Sequence, residues 1–298
     1  MTIEVNGISK TYTGKKAVDN VSFTAEAGKA LGLLGRNGAG KTTTIRILMN
    51  VIRPESGSVT LDGKPIDYDR VRIGYLPEER GLYAKKELFE QLVYFARLKG
   101  MPRGDAARSV DSWLDRLGLT EYRTKKLETL SKGNQQKVQL ITALAHDPQI
   151  IILDEPFSGL DPVNAMTLEE IVKEQIAKGK IVLFSSHQMN YIEEFCDDVA
   201  ILNRGKRVLY GNLREIKRSY PRTKLLVRSG KAEEILAEYG DSAGWYDREL
   251  LEINLPEAEA KAAAMRNLAE KYSPDEIRVY EPSLNDIFIE YTQEPGRK

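Results

Sequence analysis

Residues 35–42 read GRNGAGKT and satisfy G-x-x-x-x-G-K-[ST] at every constrained position. The octet follows the apolar run ALGLL and leads into the helical text TTIRILMN. That strand, loop and helix order confines the chain more than any other feature. Glycines let successive backbone N–H groups close around phosphate oxygens, and the helix N-terminus adds partial positive charge. Lys41 places a cation on the β- and γ-phosphates, and the Thr42 hydroxyl suits Mg²⁺. The expected nucleotide-contacting set is Gly35, Asn37, Gly38, Gly40, Lys41, Thr42 and Thr43. Arg36 and Asn37 fill variable positions, so no side-chain chemistry is read from either.

A magnesium-nucleotide site needs a carboxylate from elsewhere in the chain. IIILDE (150–155) is a nearly continuous apolar run ending in Asp154 and Glu155. In a parallel sheet, such residues emerge at the C-terminal edge, where ligands bind. Asp154 is expected to hold Mg²⁺ through water, because Mg²⁺ keeps part of its hydration shell. Glu155 is placed to polarise the attacking water. Together the two motifs read as a P-loop nucleoside triphosphatase.

The rest of the text fits an α/β chain. From residue 1 to about 217, short β-branched runs alternate with helical stretches, the pattern of a largely parallel sheet. TIEVNGISKTY and VDNVSFTAEAG alternate apolar and polar residues, predicting an antiparallel edge with turns at Asn6-Gly7 and Ala27-Gly28. ALGLLG, IVLFSS and DVAILN are apolar throughout, as strands buried on both faces are. Between about 82 and 146 the text turns helical, with Leu88, Leu92, Phe95 and Ala96 at helical spacing. Residues 218–298 read as a small accessory α/β domain. Its helices are KAEEILAEYG, EAEAKAAAMRNLAEKY and SLNDIFIEYT, the last opened by Ser283 as N-cap with Asp286 in its first turn.

Composition narrows the function classes. Forty-four basic residues balance 44 acidic ones, leaving no net field to draw the whole protein onto nucleic acid. One cysteine, Cys196, provides no intrachain disulfide and fits a reducing cytosol. No apolar run approaches the roughly 18–20 residues that span a bilayer, and the opening residues lack a signal-peptide apolar core. Work at a membrane would require a crossing supplied by another polypeptide.

Three further phrases occur in a telling order: LSKGNQQKVQL (130–140), SGLDP (158–162) directly after the acidic pair, and SSH ending at His187. In this order, residues 1–215 resemble the ATP-binding cassette (ABC) ATPases. The resemblance implies head-to-tail dimers in which ATP lies between one subunit's phosphate loop and the other's signature loop. It implies that Ser131, Gly133 and Asn134 act in trans, and that Asp161 couples the two subunits. It also implies that His187 reaches the γ-phosphate and that Tyr12 stacks on adenine. A hydroxyl, a glycine and a helix N-terminus together do make an anion site.

Two departures from the family wording stand out. Lys132 replaces a glycine of the signature, leaving Ser131 and Gly133 intact. Glu78, after IGYLP, stands where the family usually has glutamine; it adds negative charge beside a triphosphate and is tolerable with Mg²⁺ close by. LPEERGLY and SLNDIFIEYT resemble a bacterial subgroup that includes sodium- and drug-efflux ATPase subunits. The resemblance therefore implies an ATP- and Mg²⁺-dependent ATPase, peripheral on the cytoplasmic face of the cell membrane. It would form a homodimer or heterodimer and power an exporter through separately encoded permease subunits. A groove beside Glu78, with Leu82, Tyr83, Phe89 and Tyr94, would receive a permease helix. The alternatives are a soluble ABC ATPase acting on ribosomes or DNA, or a low-turnover regulatory ATP-binding module.

Overall fold

The computed structural model describes residues 1–293 except Arg80 and Gly159. Arg80 of LPEERGLY, Gly159 of SGLDP and the end of the 218–298 stretch therefore lie outside the described residues. The strands are β1 (Thr2–Tyr12), β2 (Lys15–Glu26), β3 (Ala30–Leu34), β4 (Ser56–Leu61), β5 (Lys64–Pro65), β6 (Ile73–Leu76), β7 (Ile150–Asp154), β8 (Ile181–Ser186), β9 (Asp198–Asn203) and β10 (Lys206–Asn212). The accompanying helices are α1 (Lys41–Leu48), α2 (Leu88–Leu98), α3 (Arg103–Arg116), α4 (Lys132–Leu144), α5 (Pro162–Ala177), α6 (Met189–Phe195) and α7 (Leu213–Ser219).

Six strands form a sheet in the order β10-β9-β3-β8-β7-β6, parallel except for β10. Every residue of β3, β7 and β8 is buried, as expected of apolar runs with sheet neighbours on both sides. The second sheet, β2-β1-β4-β5, is antiparallel and alternates buried with open positions. A core of Ile3, Val5, Phe23, Leu33, Ile45 and Ile152, among others, joins these strands to α1.

One turn expectation is corrected. Asn6-Gly7 lies inside β1, where Gly7 adopts φ +59° at a register shift between Val5 and Ile8. Pairing resumes beyond it, so the dipeptide is a bulge rather than a chain reversal. The reversal falls at Thr13-Gly14, both at positive φ, as a tight hairpin requires. Ala27-Gly28 does turn, with Gly28 at φ +77°.

The chain separates into two compact units, Met1–Leu213 with the described residues from Phe288 onward, and Arg214–Ile287. The second unit holds β11 (Lys224–Arg228), α8 (Ala232–Tyr239), β12 (Ala243–Trp245), β13 (Leu251–Asn254), α9 (Lys261–Tyr272) and β14 (Glu276–Val279). Its strand order β12-β13-β11-β14 is the ferredoxin-like arrangement of a β-α-β-β-α-β run. Leu225, Val227, Ile235, Leu251, Ile253 and Leu268 form its own core. The three-residue β12 is too short to carry a periodic signal in sequence. The final helix, α10 (Leu284–Thr292), opens with a reciprocal cap: Ser283 Oγ accepts from Asp286 N at 3.2 Å, and Asp286 Oδ2 accepts from Ser283 N at 2.9 Å. Among the described residues no helix is long and apolar enough to cross a membrane.

Candidate active site

Sheet register gathers the chemistry on one edge. Leu34 pairs with Ser186, Asp154 with Ser185, and Leu76 with Leu153. The residues that follow, Gly35, His187, Glu155 and Glu78, therefore leave neighbouring strand ends together. This is the C-terminal edge of the parallel sheet.

The phosphate loop leaves β3 through positions that sterics reserve for glycine. A Cβ on Gly35 would lie 2.7 Å from Leu202 O and 2.8 Å from Ala39 Cβ. Gly40 has φ +108°, and a Cβ there would lie 2.5 Å from Ala17 O. Gly40 is also the N-cap of α1, which has no side-chain cap and no acid in its first turn. Its leading N–H groups and dipole are thus left for an anion. Lys41 is buried, and its ammonium donates to Gly35 O at 2.6 Å, which holds the cation across the mouth of the loop.

A cavity of about 490 Å³ opens onto this loop, lined by Tyr12, Asn37, Gly38, Gly40, Lys41, Thr42, Thr43, Glu78, Asp154 and Glu155. Thr13, Lys15, Ala17 and Arg36 complete the wall. Tyr12 stands at the tip of the β1–β2 hairpin, paired with Lys15, and is 43% exposed. An exposed ring at the cavity rim suits stacking on a flat base. Arg36, to which the sequence assigned no chemistry, also faces the cavity.

The acidic wall needs a counter-ion. Asp154 is buried, and burial raises its pKa; the Glu78 and Glu155 carboxylates push the same way, while Ser185 and Lys41 oppose. Tyr75, on β6, has its phenol pushed up to about 12, first by burial and then by Asp154. Among the described residues no trio of His, Cys, Asp or Glu forms a self-sufficient metal cage. Hard oxygens from Thr42, Asp154 and Glu78 beside a phosphate loop fit Mg²⁺, which takes one or two carboxylates plus phosphates and water.

Glu155 adopts φ +51°, unusual for a residue with a side chain, and its N–H donates to Ser185 O at 2.8 Å. Ser186 Oγ donates to Glu155 Oε2 at 3.2 Å, and His187 Nδ1 lies 2.9 Å from Glu155 Oε1.

Gly35 and His187 follow strand ends at this edge without lining the cavity, and Ser131, Gly133, Asn134 and Asp161 do not line it either. Ser131 caps α4, accepting from Asn134 N at 3.3 Å, and Asp161 caps α5, accepting from Asn164 N at 2.9 Å. The two caps meet, since a Cβ on Gly133 would lie 2.7 Å from Asn164 Nδ2. Asn164 was missed in the sequence; its spacing three residues after Asp161 was the available signal.

The groove expectation needs correction. A cleft of about 950 Å³ does run beside Glu78, but Met49, Val51, Tyr68, Tyr75 and Leu98 line it, with Arg46, Arg72 and Lys99. Leu82, Tyr83, Phe89 and Tyr94 lie outside that lining. Arg123 covers Phe89, its guanidinium carbon 3.4 Å from the ring centroid, and Tyr83 stacks on Phe95 at 6.0 Å.

Comparison with known proteins accords with this arrangement. The ABC transporter family model matches residues 18–158, and the C-terminal domain model of DrrA1-3-like ATP-binding proteins matches residues 211–292. The chain is 41% identical over 290 residues to the uncharacterized ABC transporter ATP-binding protein YhaQ of Bacillus subtilis (strain 168), covering 97% of each chain. It is 33% identical over 213 residues to the linearmycin resistance ATP-binding protein LnrL of the same organism, covering 70% of this chain and 68% of that one. The solved structure of an ATP-binding subunit of an ABC transporter matches with TM-score 0.68 and 32% identity, over 73% of this chain and 92% of the other.

Proposed function

Because the chain belongs to the ABC transporter ATP-binding proteins, which are ATPases, we propose that it powers export through separately encoded membrane subunits. The observation that carries the site reading is the cavity that joins Tyr12, Lys41, Thr42, Glu78, Asp154 and Glu155. Adenine stacks on Tyr12, and the phosphates lie against the N–H groups of residues 35–43. Lys41 turns from the Gly35 carbonyl to the β- and γ-oxygens. Thr42, Asp154 and Glu78 would hold Mg²⁺, which would neutralise charge developing on the phosphates. Glu155 orients water in line with the γ-phosphorus and draws on its proton; His187 holds the γ-phosphate.

Ser131, Gly133 and Asn134 stand at a helix N-terminus outside their own subunit's cavity. That placement supports their use on a second subunit's ATP, with Asp161 beside them as the coupling residue. ATP then closes the dimer and hydrolysis reopens it. The 950 Å³ cleft, lined by apolar side chains and by charges of both signs, offers a seat for a permease helix. Export as the direction is supported by LnrL, a relative named for resistance. In this reading the chain sits on the inner face of the membrane, and residues 1–217 form the ATPase with residues 218–298 as accessory domain.

The test is Glu155→Gln in the full chain. ATP binding persists, hydrolysis is nearly abolished and an ATP-bound dimer accumulates; unchanged turnover removes Glu155 as the base. Pull-down from membranes recovers a multi-span partner, whereas recovery of ribosomes or DNA overturns the transport reading.

A further inference from the structure

We propose that the stacked rings of Phe157 and Tyr191 hold Glu155 and His187 in mutual register for hydrolysis, with Tyr191 a positioning residue acting through Phe157. The inference rests on Glu155 as the group that activates water.

Two chain segments leave adjacent strands β7 and β8, whose last paired residues are Asp154 and Ser185. Each carries one reactive side chain and then a ring. Phe157 follows Glu155 by two positions, and Tyr191 follows His187 by four. The two rings lie 3.9 Å apart between centroids and 11° from parallel, the closest ring pair among the described residues. Phe195 lies 5.5 Å and Phe184 6.1 Å from Phe157, all nearly parallel, so the stack is rooted in β8 itself. Lys173 lies 5.3 Å from the Phe195 centroid. Each ring has a neighbour on a different segment, so the stack ties the segments after β7 and β8 together through buried aromatic contact.

The turn after Glu155 needs such an anchor. Glu155 occupies the left-handed region at φ +51°, which an L-residue keeps only when its surroundings over-determine it. Pro156 follows and has no N–H to donate. Ties among the described residues include Ser158 N to Glu155 O at 3.1 Å, Leu160 N to Phe157 O at 3.3 Å, Gln136 Nε2 to Pro156 O at 3.3 Å, and the buried Phe157 ring. On the other side, α6 has only seven residues and follows His187 after a single residue. Tyr191 therefore connects the segment bearing His187 to the segment bearing Glu155 and, like His187, is not among the residues lining the nucleotide cavity.

Removing the ring should loosen the geometry of the reacting groups while leaving the ATP contacts in place. Displacements near 1 Å cost up to about a hundredfold in rate. We expect Tyr191→Ala in the full chain to lower kcat by roughly tenfold, with KM for ATP and binding of a fluorescent ATP analogue within about twofold. Tyr191→Phe keeps the stack and restores the parental kcat. Tyr191→Leu keeps apolar cover without a flat face, guards against misfolding, and is expected to remain impaired. Parental kcat in Tyr191→Leu overturns the proposal, as does a Tyr191→Phe as slow as Tyr191→Ala, or a loss of ATP affinity matching the loss of rate. Glu155→Gln, measured in parallel, reports separately on the base: if it leaves turnover intact, the assignment of Glu155 fails whatever Tyr191 does.

Discussion

His187 Nδ1 lies 2.9 Å from Glu155 Oε1, while Ser186 Oγ reaches the other carboxylate oxygen at 3.2 Å. Both oxygens of Glu155 are engaged, yet the partners differ in freedom. The Glu155 side chain is 6% exposed and that of His187 61%. The carboxylate is fixed by burial and by its left-handed backbone; the imidazole can swing into solvent or toward a phosphate. The base is the static member of the pair.

That asymmetry separates two variants. Glu155→Gln should cut kcat by about 10²–10⁴-fold, the usual worth of a positioned base, with ATP affinity nearly unchanged. His187→Ala should leave Glu155 in place and cost less, about tenfold to a hundredfold, because water and Ser186 can still satisfy the carboxylate. Steady-state phosphate release with parallel ATP titrations checks the order. His187→Ala slower than Glu155→Gln would reverse the roles.

Gly40 predicts a second outcome. Its φ of +108° and the 2.5 Å approach of Ala17 O leave no space for a methyl group. Gly40→Ala must move either the start of α1 or the β2 backbone that carries Ala17. We expect Gly38→Ala, at φ +79° but in open space, to lose about 1–2 kcal/mol through backbone strain alone, and Gly40→Ala, which adds the clash to that strain, to lose more and to lose ATP binding. Thermal unfolding with and without ATP distinguishes them. Equal stability of the two variants would mean that the loop yields easily at Gly40.

The same contrast shows what was legible in the sequence. GRNGAGKT and IIILDE specify a backbone path and a strand end, and residues of both line one cavity, whereas SSH specifies a neighbouring strand end whose residues do not line it. The bulge at Gly7 could not be read, because Asn-Gly signals a turn with or without a partner strand beyond it. Nor could the meeting of Gly133 with Asn164, or of Phe157 with Tyr191, since each pair depends on how two loops cross. A cleft does lie beside Glu78, but its lining does not include Leu82, Tyr83, Phe89 or Tyr94. Helical spacing states that residues share a face, and only packing states what that face meets.

His146 gives a pH prediction. It is 1% exposed; its Nε2–H donates to Ile73 O at 3.2 Å, and its buried Nδ1 has no hydrogen-bond partner among the described residues. Burial pushes its pKa down to about 4, with Lys99, Arg72 and Lys180 adding to the fall and the Ile73 bond opposing it. The unfolded chain therefore binds a proton near pH 6.5 that the folded chain refuses until near pH 4. Stability from this group is complete above about pH 6.5 and declines as pH falls toward 4, by about 3 kcal/mol in the limit. His146→Gln retains an amide donor for Ile73 O and should flatten that part of the profile in urea unfolding. An unchanged slope would place the acid sensitivity in other groups.

Glu78 carries the last prediction. Burial and the neighbouring carboxylates Glu78 and Glu155 already raise Asp154, so the cavity is short of positive charge before a triphosphate enters. A glutamate there makes binding of ATP more dependent on a divalent cation than a glutamine would. Glu78 is exposed, so solvent screens the repulsion to about 1 kcal/mol. In EDTA, Glu78→Gln should bind ATP roughly fivefold more tightly than the parent, and excess Mg²⁺ should close or reverse the gap. Raising the ionic strength should shrink the EDTA difference, because the interaction is between partly exposed charges. Fluorescence titration with an ATP analogue under the three conditions checks it. Equal affinities in EDTA would mean that the Glu78 carboxylate turns away from the phosphates and that Asp154 and Thr42 alone serve the metal.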